Sequence, residues 1–129
     1  MADFLQAAGS AIYAALGGTA ANPPVYYALA PQGAQPPNLV FQHQDSRDEY
    51  TWTSSGVNAL YVVRAVSNRQ WPNEAAQVYA SAHELLQGAA LSMTGFTALR
   101  CERSSRLEYI DPGRFWNVGG IYRVEAWST

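Results

Sequence analysis

Apolar residues recur at two periods along this chain, and each change of period marks an element. Over residues 3–16, Phe4, Ala8, Ala11, Ile12, Ala15 and Leu16 fall on one stripe at helical spacing. Asp3 with Gln6 makes a capping-box pattern, and Gly17-Gly18 supplies the stop. The many alanines predict close approach to whatever this helix packs on. A second helical stripe, Ala75, Val78, Tyr79, Ala82, Leu85 and Leu86, runs through residues 72–87. Pro72 suits its first turn, Gly88 ends it, and Glu74, Gln77, Ser81, Glu84 and Gln87 face water.

Between and after these helices the period falls to that of strands. Residues 25–29 and 38–43 read as two short strands held apart by Pro31-Gln32-Gly33-Ala34-Gln35-Pro36-Pro37, a spacer that can be neither helix nor interior strand. Residues 44–49, QDSRDE, read as an acidic polar loop and 50–53 as a short strand, with the whole stretch from Gln44 to Gly56 expected to be mobile in a free subunit. Residues 57–66, VNALYVVRAV, are almost continuously apolar, as in a central strand covered on both faces. Residues 96–109 and 116–127 form two long strands about a turn at Asp111-Pro112-Gly113. The order α-β-β-β-α-β-β predicts one α+β domain: an antiparallel or mixed sheet of about five strands, with two helices mainly on one face. The expected core is Phe4, Ile12, Leu16, Leu60, Val62, Val78, Tyr79, Ala82, Leu85, Leu86, Leu99 and Val124.

The last hairpin carries a charge pattern. With Tyr109 opposite Trp116, Glu102 faces Arg123 and Arg100 faces Glu125, two opposite-charge pairs on one face. The other face then holds Leu99, Cys101, Val124 and Ala126 and should be core. These four charges are candidate interface residues. So are Pro31, Gln32 and Gly33 of the stiff spacer, and Asp45, Asp48 and Glu49 of the polar loop.

Composition narrows the function classes. The chain has 129 residues, 48% hydrophobic, enough for one domain with a core. No apolar run approaches the roughly 20 residues of a membrane span. The apolar N-terminal stretch has no basic residue before it and carries Asp3, so it reads as a helix rather than a signal peptide. A lone cysteine, Cys101, permits no internal disulfide and reads as a buried small hydrophobe. All 8 basic residues are arginine, outnumbered by 10 acids, which disfavours tight nucleic-acid binding. His43 reads as a strand end and His83 as a helix flank, and neither has metal-ligand spacing to a partner. No nucleophile elbow or phosphate loop is present. Catalytic, cofactor-binding and metal-ligating residues are therefore not assigned, and no cofactor is expected. Trp52, Trp71, Trp116 and Trp127 sit at element ends and read as packing or subunit contacts.

The assembled order does resemble a known family. The pieces that carry it are the Ala-rich N-terminal helix, Val25-Tyr26-Tyr27, Pro31-Gln32-Gly33-Ala34, and Pro37-Asn38-Leu39-Val40-Phe41. They continue with the strand ending Arg64-Ala65-Val66-Ser67, the helix closing at Leu86-Gln87-Gly88, and two final strands. This is similar to the small tail-completion proteins, or tail terminators, of long-tailed phages and phage-like gene transfer particles. The resemblance spans nearly the whole chain, residues 1–129. It implies a structural virion protein and not an enzyme: a ring, usually a homohexamer, at the head-proximal end of the tail. Such a ring stops tube polymerisation and joins the tail to the neck. The implied partners are further copies of the chain, the tail tube protein and the neck or connector proteins. DNA passes through the lumen without specific binding, assembly takes place in the host cytoplasm, and no membrane is involved. Two other readings fit the sequence: another tail, neck or baseplate component, or a small-molecule-binding domain with a pocket between Trp116, Trp127 and the helices.

Overall fold

The computed structural model describes residues 4–17, 24–28, 36–50, 55–93 and 95–128. Helix α1 (Phe4–Leu16) leads to strand β1 (Val25–Tyr27), β2 (Asn38–Tyr50) and β3 (Ser55–Ser67); α2 (Asn73–Leu86), β4 (Phe96–Ile110) and β5 (Trp116–Ser128) follow. The five strands form one sheet in the order β1-β2-β3-β5-β4. β1 runs parallel to β2 and every other neighbour is antiparallel, so the sheet is mixed. This is the expected α+β architecture.

Both helices cover the same face. Tyr61 of β3 and Tyr122 of β5 are directly paired and so point the same way. The Tyr61 hydroxyl donates to the Leu5 carbonyl of α1 at 3.3 Å, while the Tyr122 hydroxyl meets Tyr79 and His83 of α2 at 2.7 Å each. Burial alternates accordingly along β3. Ala59, Tyr61, Val63 and Ala65 lie beneath the helices and are buried; Leu60, Val62, Arg64 and Val66 point away and are half-buried. The near-continuous apolar run therefore does not mean helices on both sides, and Leu60 and Val62 are not in the helix-covered core. Its apolar outer positions pack beside one another on an open sheet face.

The buried stripe of α2 is Ala75, Tyr79, Ala82 and Leu86, a 4-3-4 spacing that stays on one line of the helix. Leu85 lies about 100° around from Leu86 and is 52% exposed, so its expected core role fails. Ile12 and Leu16 are buried as expected and Val78 is partly buried against the core; the Phe4 side chain lies outside the described residues. So do Asp3 and Gly18 of the expected helix ends, residues 29–35, and Trp52.

Two strand readings are corrected. Residues 44–49 are not a loop: β2 continues through them and pairs with β3 as far as Tyr50↔Ser55. A bulge between His43 and Asp45 absorbs one residue there, which lets a polar sequence keep the ladder. Leu99 is 54% exposed, because it sits in a second bulge, between Ala98 and Arg100, and has no cross-strand partner. Cys101, Val124 and Ala126 are buried as expected.

The hairpin turn is a three-residue loop. Arg114 N donates to the Asp111 carbonyl at 2.9 Å and Asp111 N to the Phe115 carbonyl at 3.0 Å, with Arg114 at φ 66°. This is a turn closed by a left-handed residue. Asp111 closes the ladder instead of standing inside the turn, so Tyr109 faces Asn117 and not Trp116. A bulge between Arg103 and Ser105 then takes up one residue, and beyond it Glu102↔Arg123 and Arg100↔Glu125 pair as read from the charges. The expected register is thus displaced by one at the turn and restored at the charged pairs.

Candidate functional site

Four of the candidate interface residues meet on the sheet face away from the helices. Glu102 (β4), Arg123 (β5) and Leu60 (β3) stand in one row, and Arg100, Glu125 and Asn58 in the next. The ion contacts differ from simple cross-strand pairs. Arg100 Nε lies 3.9 Å from Glu102 Oε2 along its own strand and 4.0 Å from Glu125 Oε2 across the ladder. Glu125 Oε1 also accepts from Asn58 Nδ2 at 3.1 Å. Arg123 Nε is enclosed with no hydrogen-bond partner among the described residues. The patch balances two positive and two negative charges. Asp45 is exposed and paired with Leu60, which extends the Glu102–Arg123 row to a fourth strand. Asp48 and Glu49 occupy β2 positions whose side chains lie outside the described residues, and Pro31, Gln32 and Gly33 lie outside them altogether.

A second polar group closes the other end of this face. Arg64 Nη1 donates to Asn117 Oδ1, and Asn117 Nδ2 donates to Asp111 Oδ2 and to the Phe115 carbonyl at 3.1 Å each. Asp111 Oδ1 accepts from Phe115 N at 3.0 Å. The fully buried Asn117 therefore ties β3 to the hairpin turn. Between the two polar groups lie Val62 and Ile121, directly paired and half-buried.

The helix-covered face holds a polar chain that periodicity did not reveal. Tyr79 and His83 are four residues apart on α2 and point at Tyr122. Arg103 Nη1 donates to the Tyr79 hydroxyl at 3.2 Å. Guanidinium only donates, so the Tyr79 oxygen accepts from Arg103 and its own proton is left to give to Tyr122. The order in which every hydroxyl both donates and accepts is Tyr79 O–H to Tyr122 and Tyr122 O–H to His83 Nδ1, and it requires that nitrogen to be unprotonated. Burial lowers the His83 pKa first, and the charges of Arg103 and Arg106 lower it further. Burial raises that of Tyr122, reinforced by its bond to Tyr79. Gly120 makes room: a Cβ there would stand 2.5 Å from the Tyr79 hydroxyl. His83 is thus an anchored member of the chain rather than a helix flank. The one clue in the sequence was its i, i+4 relation to Tyr79 on the apolar stripe. His43 lies within β2, not at its end, with its ring against Tyr61 at 5.5 Å. Burial raises the Cys101 pKa to about 11, with Glu102 adding to it, which keeps the thiol protonated and unreactive.

The pocket expected between Trp116 and Trp127 does not exist. They stand at opposite ends of β5, about 35 Å apart at ~3.3 Å per residue, and on opposite faces of the sheet. Trp116 is held by its Nε1 donating to the Gln70 carbonyl at 3.1 Å. A shallow groove of about 270 Å³ lies instead beside the β1 edge, lined by Gly9, Ser10, Tyr13, Tyr27 and Phe41. Among the described residues, no group of three or more His, Cys, Asp or Glu could hold a metal ion, and no helix is long and apolar enough to cross a membrane.

The sheet ends in two unlike edges. β4 forms one, and its outer side is half closed by the chain itself. Gly88 N donates to the Cys101 carbonyl at 2.8 Å, and the Gln87 side chain accepts from Arg103 N at 2.9 Å. Over residues 105–110 that edge meets no further described strand, and Tyr109 and Ile110 are 45% and 53% exposed. β1 forms the other edge, with Tyr27 55% exposed.

Comparison with known proteins sets the chain beside a family and a solved structure. A family model described as tail completion protein gp17 matches residues 10–128. Among solved structures, a chain from the virion of a native gene transfer agent particle superposes with a TM-score of 0.76 at 14% identity, covering 97% of this chain and 95% of that one. No curated protein sequence matches the chain.

Proposed function

The chain belongs to the tail completion protein gp17 family, and on that premise we propose that it is a structural ring protein of a phage-type tail. The observation that carries this is the family match across residues 10–128; the shared fold with a chain of a gene transfer agent virion supports it. The reading is of a homohexameric ring at the head-proximal end of the tail tube. The ring stops tube growth and joins the tail to the neck proteins, with assembly in the host cytoplasm and no catalysis. The unlike sheet edges suit this role, since contacts between different surfaces of identical subunits generate rings. The balanced patch of Arg100, Glu102, Arg123 and Glu125, with Asp45 in its row, is the proposed contact with a neighbour, together with Asp48, Glu49 and the spacer residues Pro31, Gln32 and Gly33.

The lumen of such a ring should be neutral or acidic, because each phosphate contact adds affinity through counterion release and would retard moving DNA. A formal net charge of −2 without lysine fits that. Light scattering on the chromatographed protein, alone and with tail tubes, tests the ring. The expected result is a single closed oligomer, free or seated on tube ends. A monomer or dimer in both settings contradicts it.

A further inference from the structure

We propose that neighbouring subunits join edge to edge, the distal half of β4 on one copy docking antiparallel along β1 of the next. This deepens the ring reading and rests on it. An open strand edge is a template for another strand unless something covers it. The chain covers the β4 edge at Cys101 and Arg103 with its own Gln87 and Gly88. Past the bulge at Ser104 this cover ends, and residues 105–110 keep strand geometry with an outer side that no described strand occupies.

Strand directions decide the geometry of continuation. β1 and β2 run one way, β3 the other, β5 back again, and β4 opposite to β5. β1 and β4 are therefore antiparallel within a subunit. A head-to-tail repeat that keeps the sheet orientation sets β4 of one copy antiparallel to β1 of its neighbour, the more stable form of pairing. Nothing has to invert for the sheet to continue.

The side chains match on the same face. Ile110 pairs with Trp116, whose parity along β5 is that of the helix-covered Tyr122, so Ile110 projects on the helix side. The groove beside β1 is on the helix side too, between α1 and the rings of Tyr27 and Phe41, which stand 5.2 Å apart edge to face. One copy thus offers an exposed aliphatic side chain beside one open edge. The next offers a groove beside the other. The groove walls contributed by α1 are uncharged, as is the whole of α1, so they suit an aliphatic insert.

The competing arrangement is symmetric pairing of two β4 edges, which would set Arg106 opposite Glu108 and close a dimer that cannot propagate to a ring. Both arrangements are resolved by site-directed crosslinking. Ser10→Cys and Ile110→Cys are placed in one chain, and the concentrated protein, with and without tail tubes, is treated with a short bis-maleimide. Native Cys101 is buried and does not compete. The expected result is a ladder of covalent multimers up to the ring number, with each single variant remaining monomeric. Ile110→Glu is expected to abolish assembly while leaving the monomer's thermal midpoint unchanged, since Ile110 is exposed. Dimers from Ile110→Cys alone would establish symmetric pairing and overturn the proposal. Rings that form without a ladder and survive Ile110→Glu overturn it while sparing the ring reading. Absence of any assembly of the parent chain overturns both.

Discussion

Single residues decide the interior through the chain from Arg103 to His83. Removing its centre with Tyr122→Phe leaves the Tyr79 hydroxyl with Arg103 alone and His83 Nδ1 without its partner, so a loss of about 1–3 kcal/mol is expected in urea unfolding. Gly120→Ala drives a methyl group against the Tyr79 hydroxyl, Arg103 Cδ and the Ser105 carbonyl, and should cost about 1–3 kcal/mol. Tyr79→Phe removes the nearest of these three atoms, so the double variant should lose less than the sum of the two single losses, and additivity would refute the Tyr79 contact. The direction of the chain also sets a pH dependence. The folded His83 pKa lies below its ordinary 6.5, so between the two values the unfolded chain binds more protons. The stability that depends on neutral His83 is complete above 6.5 and is lost as pH falls through that value toward the lowered one. His83→Gln can still accept from Tyr122 without titrating. Its acid limb should be flatter than the parent's in thermal melts across this range.

At the scale of elements, neighbouring leucines separate buried from exposed surface. Leu86→Ala should cost about 2–5 kcal/mol, whereas Leu85→Ala should stay near the ~0.5 kcal/mol typical of surface positions, because Leu86 is fully buried and Leu85 half exposed. The bulge at Ser104 reconciles the three-residue turn with the charged pairs. Deleting Ser104 forces one of those registers to slip and turns side chains to the wrong face. That variant should unfold well before the parent, and Ser104→Ala should not. These same elements explain what could be read in advance. Helices and long strands announced themselves by period, and the charges of Arg100, Glu102, Arg123 and Glu125 located the middle of the last hairpin. The turn-end register was not legible, because Asp111 closes the ladder through its backbone and carboxylate, and Arg114 rather than Gly113 takes the left-handed position. Polar content hid the second half of β2, since pairing with β3 does not require apolar side chains. The Tyr79–Tyr122–His83 chain was hidden because its members lie 43 and 39 residues apart and meet only through the sheet.

For the whole molecule, the proposed contacts are one sheet face and two sheet edges. The ion contacts of Arg100 should matter little to folding, because pairs this open to solvent contribute about 0–1 kcal/mol, and the patch should matter more to association. Arg123→Glu places a third carboxylate beside Glu102 and Glu125 and should weaken assembly more than it lowers the melting temperature. Adding Glu102→Arg should restore part of that loss. Equal assembly of parent and single variant would make the patch a solvated surface. The central claim, that this chain ends the tail tube and joins it to the head, is tested most directly by electron microscopy of particles assembled with and without it. With the chain present, tails of uniform length should end in a ring at the head-proximal side and be attached to heads. Without it, tubes should vary in length and lie apart from filled heads. Tails of normal length, attached to heads in its absence, would contradict the account.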